Sequence, residues 1–185
     1  MNIFVLDKDP VIAAQMQCDK HVVKMIIESA QMLSTAHRML DGTVQIGPSK
    51  SGKRMVKHYR LFDDPEMDQI LYKAVHHHHP CTVWTMESAE NYRWHWQHFQ
   101  ALLEEYTHRY GKIHATSLLK SPLWSLPHNI PNEPMTQFKL AMGSNPECHF
   151  NCPVKSYRAF YQTKQDRFKM AWSKRSVPDW FKETA

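Results

Sequence analysis

Between residues 92 and 110, Tyr92, Trp96, Phe99, Leu103, Tyr106 and Tyr110 recur at intervals of four, three, four, three and four, and Gly111 follows directly. A backbone with 3.6 residues per turn gathers such positions into one stripe, and a glycine just past the last turn takes the left-handed capping conformation. The spacing therefore predicts one long helix over 83–110 whose aromatic face needs a covering layer. A second helical pattern supplies it: Ala13, Cys18, Val22, Met25, Ile26, Ser29, Met32, Leu33 and Ala36 share a face. Asp9-Pro10 opens that stretch with an acceptor at the cap and a proline in the first turn, and Asp41-Gly42 closes it. Shorter helical patterns run over 65–75, behind Pro65 and its acids, and over 154–172. Ile3 to Leu6 reads as a short strand or extended lead-in.

Only five glycines occur in 185 residues, too few for the tight turns of a sandwich or barrel, while six prolines between Ser121 and Pro153 keep that segment irregular. The expectation is a mainly α fold: a single-domain helical bundle over 1–185 with long irregular loops. A chain that is 42% hydrophobic and 22% charged is too apolar for disorder. The absence of a long apolar run or secretory leader, together with four scattered cysteines, points to reduced thiols in a cytoplasm, with no membrane partner. Neither a phosphate-cradling glycine loop, a dinucleotide fingerprint, a nucleophile elbow nor a zinc-finger framework is present.

The net charge of +5 suits an acidic partner, and its distribution says more than its size. From Gly42 to Arg60 the chain carries Lys50, Lys53, Arg54, Lys57, His58 and Arg60 with no acid, read here as a mobile basic loop. Near the other end Arg158, Lys164 and Arg167 alternate with Tyr157, Phe160, Tyr161, Phe168 and Trp172. Most of those rings fit the buried stripe of an amphipathic helix, which leaves the cations free to meet phosphates.

On the first long helix, Asp19, Lys20, His21, Lys24 and Glu28 alternate with Val22, Val23, Met25, Ile26 and Ile27. Lys24 and Glu28 stand four apart, so the ordinary reading is an ion pair on a solvated face. The functional reading is a partly buried cleft in which pKa values shift. His76 to His79 do not converge as ligands at i and i+4 would, and His79 before Pro80 reads as a cap or pocket wall. Cys148, His149 and Cys152 have no answering pair. No metal and no cofactor are expected.

The stretch Gln17-Cys18-Asp19-Lys20-His21-Val22-Val23-Lys24-Met25-Ile26-Ile27-Glu28 resembles the first-helix pattern of the endonuclease V-type pyrimidine-dimer DNA glycosylases. His79-Pro80-Cys81-Thr82-Val83-Trp84, with the later Glu105-Tyr106-Thr107-His108-Arg109-Tyr110-Gly111, is similar to that group's central segment in the same order. The resemblance implies an endonuclease V-like fold and a phage-like DNA-repair glycosylase that acts on duplex DNA with one base extruded. It implies an amine that attacks the sugar C1′ and forms an imine, with Glu28 as the assisting carboxylate and His21 beside it. Ile27 and Gln31 replace that family's arginines, and Asn2 follows a Met1 that its size should leave in place, so the amine candidates are Met1, Lys20 and Lys24. Lys53, Arg54, Lys57, His58, His79, Trp84, Arg158, Lys164 and Arg167 are the expected nucleic-acid contacts. The same scaffold could instead modify a base or nucleotide without cutting the strand. Alternatively, the chain binds nucleic acid without catalysis, and Glu28 merely pairs with Lys24.

Overall fold

The computed structural model describes residues 1–182; the last three positions of the expected 1–185 domain lie outside the described residues. Six α-helices and one two-stranded sheet make up its regular structure: α1 (Pro10–Gln15), α2 (Asp19–Leu40), β1 (Thr43–Pro48), β2 (Met55–Arg60), α3 (Pro65–Ile70), α4 (Pro80–Glu87), α5 (Ala89–Tyr110) and α6 (Pro153–Gln162). The fold is mainly α, as expected. No helix among the described residues is long and apolar enough to cross a membrane.

Helix α5 is the central rod. Its stripe buries Tyr92, Phe99 and Leu102 completely, each contributing roughly 1.5–3 kcal/mol of transfer free energy, and packs against α1, α2 and α4. Gly111 closes it at φ +65°, and its N–H reaches Thr107 C=O at 2.8 Å. The predicted helix over 83–110 is in fact two helices. Ser88 turns the chain out of α4 and caps α5, its Oγ accepting from Asn91 N–H at 3.1 Å. The first predicted helix also divides. Asp9 caps α1 through Val11 and Ile12 N–H, the chain unwinds over 16–18, and Cys18 N–H is held by Tyr161 Oη at 2.9 Å.

Other expectations are shortened. Helix α3 ends at Ile70 instead of reaching Val75, and the C-terminal helix stops at Gln162, continues as a 3-10 turn to Asp166, and is irregular through Trp172. Ile3–Leu6 is buried but pairs with no strand, and it turns tightly at Phe4, whose C=O accepts from Leu6 N–H at 2.8 Å.

The expected mobile loop over 42–60 is instead an antiparallel hairpin with Thr43 opposite Arg60 and Pro48 opposite Met55. Alternation of period two decides its faces: Val44, Ile46 and Pro48 share one with Met55, Lys57 and Tyr59. On the other face the His58 ring lies close over Gly47, so that a Cβ there would come within 3.2 Å of it and the ring would have to shift slightly. The hairpin base is fixed to α2 by Arg38, which donates to Tyr59 C=O at 2.8 Å, Asp68 Oδ1 at 2.7 Å and Leu71 C=O at 2.9 Å. Burial would raise the Asp68 carboxyl, but hydrogen bonds from Leu61 N–H, Arg38 and Arg60 outweigh it and bring it down to about 2.

Candidate active site

The N-terminal arm crosses α2 near its middle, and Asn2 fixes where it lands. Asn2 is buried; its Oδ1 accepts from Phe4 N–H at 2.8 Å and its Nδ2 donates to Ala141 C=O at 3.2 Å. Phe4 is held at φ +55°, a left-handed conformation that costs a side-chain-bearing residue roughly 1–2 kcal/mol. The Phe4 ring stacks on His21 at 4.7 Å and meets Tyr161 edge-on at 5.0 Å, so surrounding packing holds the strained turn.

This path brings the chain start to Glu28. The Met1 α-amine lies 3.8 Å from Glu28 Oε2, and Asn2 N–H donates to the same oxygen at 2.9 Å. Lys24 Nζ stands 3.2 Å from Glu28 Oε1. The Lys24–Glu28 pair expected from the i, i+4 spacing is therefore present, but it engages only one carboxylate oxygen. The Glu28 side chain is 12% exposed, against 64% for Lys24, so one partner is sheltered and the other is wet.

His79 approaches from the opposite side. Its Nδ1 accepts from Cys81 N–H at 3.2 Å and caps α4, and its ring lies close enough to the Met1 amine and backbone to feel both. Burial, then the positive charges of the Met1 amine and His76, hold the His79 imidazole below its usual range; the Glu28 carboxylate and the Met1 backbone oppose this. Among the expected contacts, His79 thus caps α4 and stands beside the arm. Cys81, next to it, is buried, and desolvation pushes its thiol up to about 11, which removes it as a nucleophile at neutral pH.

His21 belongs to a neighbouring cluster. Its Nδ1 bonds Tyr161 Oη at 2.7 Å, and burial followed by the nearby Lys24 and Lys164 charges pushes the ring down to about 4, so it is neutral at pH 7. Its resolved partners are aromatic, not Glu28. Lys20 Nζ sits 4.6 Å from the Phe168 ring centroid and is exposed. Lys164 is half-buried, 3.4 Å from the Phe160 centroid; burial, then Arg167 and Lys24, bring its ammonium down to about 8. Lys24, Lys164 and exposed Arg167 thus surround one edge of the site with positive charge.

Two expected contacts need correction. Trp84 is 1% exposed and packs on Trp94 and Phe138, because the face it occupies on α4 is the inner one; it cannot meet a base. Arg158 is committed to Leu6 C=O at 2.8 Å, Asp7 at 3.2 Å and the Trp180 face, so it braces the N-terminal arm. Lys53, Arg54 and Lys57 are exposed on the hairpin, while His58 turns inward to Pro48 C=O at 3.0 Å.

Asn2 and Tyr161 are site-shaping residues that sequence reasoning passed over. A polar residue at position 2, directly before the apolar run 3–6, was the available signal for Asn2. A recess lined by Tyr92, Arg93, Trp96, Gln97 and Trp124 contains no member of the amine–carboxylate site. No group of three or more His, Cys, Asp or Glu side chains suited to a metal ion occurs among the described residues. No family model matches the chain, and no curated protein or solved structure matches it at a significant level.

Proposed function

We propose that this chain is a DNA glycosylase-type enzyme with an amine nucleophile, in which the Met1 α-amine attacks the sugar C1′ of an extruded nucleotide and Glu28 assists. One observation carries the reading: the α-amine lies 3.8 Å from Glu28 Oε2, beside the Asn2 N–H that orients that oxygen. At 3.8 Å the amine and the sheltered carboxylate form an ion pair, and one bridging water or a small side-chain movement lets a proton pass between them and lets Glu28 share charge that develops on a sugar.

The amine lone pair forms the C1′–N bond as the glycosidic bond breaks, and that bond pair leaves with the base, which takes a proton. The C1′–O4′ bond then opens, with Glu28 relaying a proton from the amine to O4′, and C1′=N forms. Loss of a C2′ proton expels the 3′-phosphate and cuts the strand. Lys24, Lys164 and Arg167 supply positive charge for the flanking phosphates. Asn2 keeps the arm in place. Extrusion costs least at a damaged or mispaired base, which favours such substrates.

A duplex with a natural abasic site tests the reading without requiring the preferred base, because its C1′ aldehyde condenses with any correctly placed amine. Protein confirmed by intact mass to begin at Met1 should form a borohydride-trapped adduct, and Glu28→Gln should slow trapping about 10²-fold or more, the scale of general acid–base assistance. Salt-sensitive binding with no adduct, unchanged in Glu28→Gln, would instead identify a binding protein in which Glu28 only pairs with Lys24.

A further inference from the structure

The exposed apolar face of the hairpin has no role in the chemistry above. Val44, Ile46 and Met55 are 50%, 68% and 64% exposed, an unusual outlay of apolar surface on two short strands. The register sets Ile46 opposite Lys57 and Pro48 opposite Met55, so Ile46, Pro48 and Met55 form one continuous ridge toward the turn. Lys50, Lys53 and Arg54 ring that turn, and no carboxylate among the described residues lies within 4.0 Å of them or of Lys57. Gly52, at φ +71°, lets the turn close without a side chain in the way.

The same face leads to the amine site. Tyr59, at its base, meets the His77 ring edge-on at 6.0 Å, and Lys57 is close enough to help hold the His77 imidazole below its usual range after burial and His78 have done so. Two residues beyond His77, His79 stands near enough to the Met1 amine for that charge to bear on its imidazole. The base of the ridge-bearing face therefore adjoins the histidine turn, and that turn ends at the histidine beside the amine.

We infer that the hairpin is a strand-opening wedge, in which Ile46, Pro48 and Met55 enter the base stack of duplex DNA beside the extruded nucleotide while Lys50, Lys53, Arg54 and Lys57 hold the phosphates. This rests on the reading of DNA as substrate. Isoleucine, methionine and proline are side chains that unstack base steps when inserted from a groove, and a cationic rim keeps such a wedge against a polyanion. Unpaired cations around an apolar ridge fit a duplex better than a second copy of the chain, which would bring like charges together. Burying the ridge between bases offsets the unstacking that extrusion requires.

The test uses Glu28→Gln protein and a duplex carrying a tetrahydrofuran abasic analogue with 2-aminopurine as its neighbour, so that no imine forms and only opening is read. Binding should raise 2-aminopurine fluorescence, and adding Ile46→Ser with Met55→Ser should remove most of that rise. In otherwise wild-type protein the serine pair should slow trapping at a duplex abasic site at least about tenfold, yet leave trapping at the same site in single-stranded DNA within about twofold, which also shows that the fold is intact. Lys53→Ala with Arg54→Ala should reduce the slope of log K against log salt by about 1.8. Equal slowing on single and double strands, an unchanged fluorescence rise, or a dimer abolished by the serine pair with no effect on opening would overturn the wedge. Because opening is read without chemistry, a wedge that opens DNA in a protein that never forms an adduct would sink the catalytic reading alone.

Discussion

An Arg109→Met variant should unfold about 3–5 kcal/mol more easily than the parent, the scale of breaking a buried ion pair from one side. The Arg109 side chain is fully buried and spends its donors on Glu105 Oε1 at 2.7 Å, Asp19 Oδ1 at 2.8 Å and Gln15 C=O at 3.0 Å. Methionine fills the volume but takes a donor from three acceptors: Glu105 and Asp19 lose a charged partner and keep only Arg175 and Ser173, and Gln15 C=O loses the guanidinium. Burial alone would raise the Glu105 carboxyl; hydrogen bonds from Arg175 and Arg109 overcome it and hold the group low, so losing Arg109 leaves Glu105 leaning on Arg175 alone. The damage would extend to the site. Asp19 opens α2, binds Ser173 N–H at 2.9 Å, and stands one residue before Lys20. Urea unfolding at pH 7 checks the value through the midpoint at constant slope, and a loss below about 1 kcal/mol would mean that Arg109 is not the tie between α1, α2 and α5.

Lowering the pH from 7 to 5 should destabilise the fold by roughly 2 kcal/mol for each of His21, His37 and His98. All three are buried, and desolvation first of all pushes each imidazole down to about 4. In the unfolded chain the same rings take up protons near pH 6.5, so between about 6.5 and 4 the unfolded state binds more protons and stability falls with pH. Stability is whole above about pH 6.5. At about 1.36 kcal/mol per unit, the 1.5 or so units from 6.5 to 5 give the figure above. Asp68, held down to about 2, adds its own loss only below the usual carboxylate range. Urea midpoints across pH 5–7 provide the measurement; a flat profile would show that these rings are protonated in the fold or reach water.

The parts of this architecture that sequence could supply are those with a local cause. The stripe from Tyr92 to Leu103, the cap at Gly111 and the Lys24–Glu28 pair follow from spacing along one helix. The break at Ser88 was hidden because apolar periodicity runs through it, although a serine three residues before Asn91 is a cap signal. The hairpin escaped because its strands are exposed on both faces at most positions, so no strong in–out alternation marks them. Trp84 was misplaced for the reverse reason: an aromatic beside a histidine turn looks like a contact until α4 is packed on α5.

Half of the site was legible and half was not. Glu28, Lys24 and His21 share one helix face, and periodicity alone puts them together. What periodicity cannot give is the return of Met1 across that face, which depends on Asn2 reaching Ala141 and on Arg158 reaching Leu6 C=O. Those contacts join residues far apart in the chain, and no local pattern encodes them. They also separate His21, turned toward Tyr161, from the carboxylate it was expected to serve.

The central claim concerns which amine reacts, and mapping the borohydride-trapped adduct by peptide mass analysis decides it most directly. The geometry predicts the sugar remnant on the Met1 α-amine and its disappearance when that amine is acetylated. An adduct on Lys24 or on Lys164, whose ammonium is already brought down to about 8, with Met1 unmodified, would contradict it.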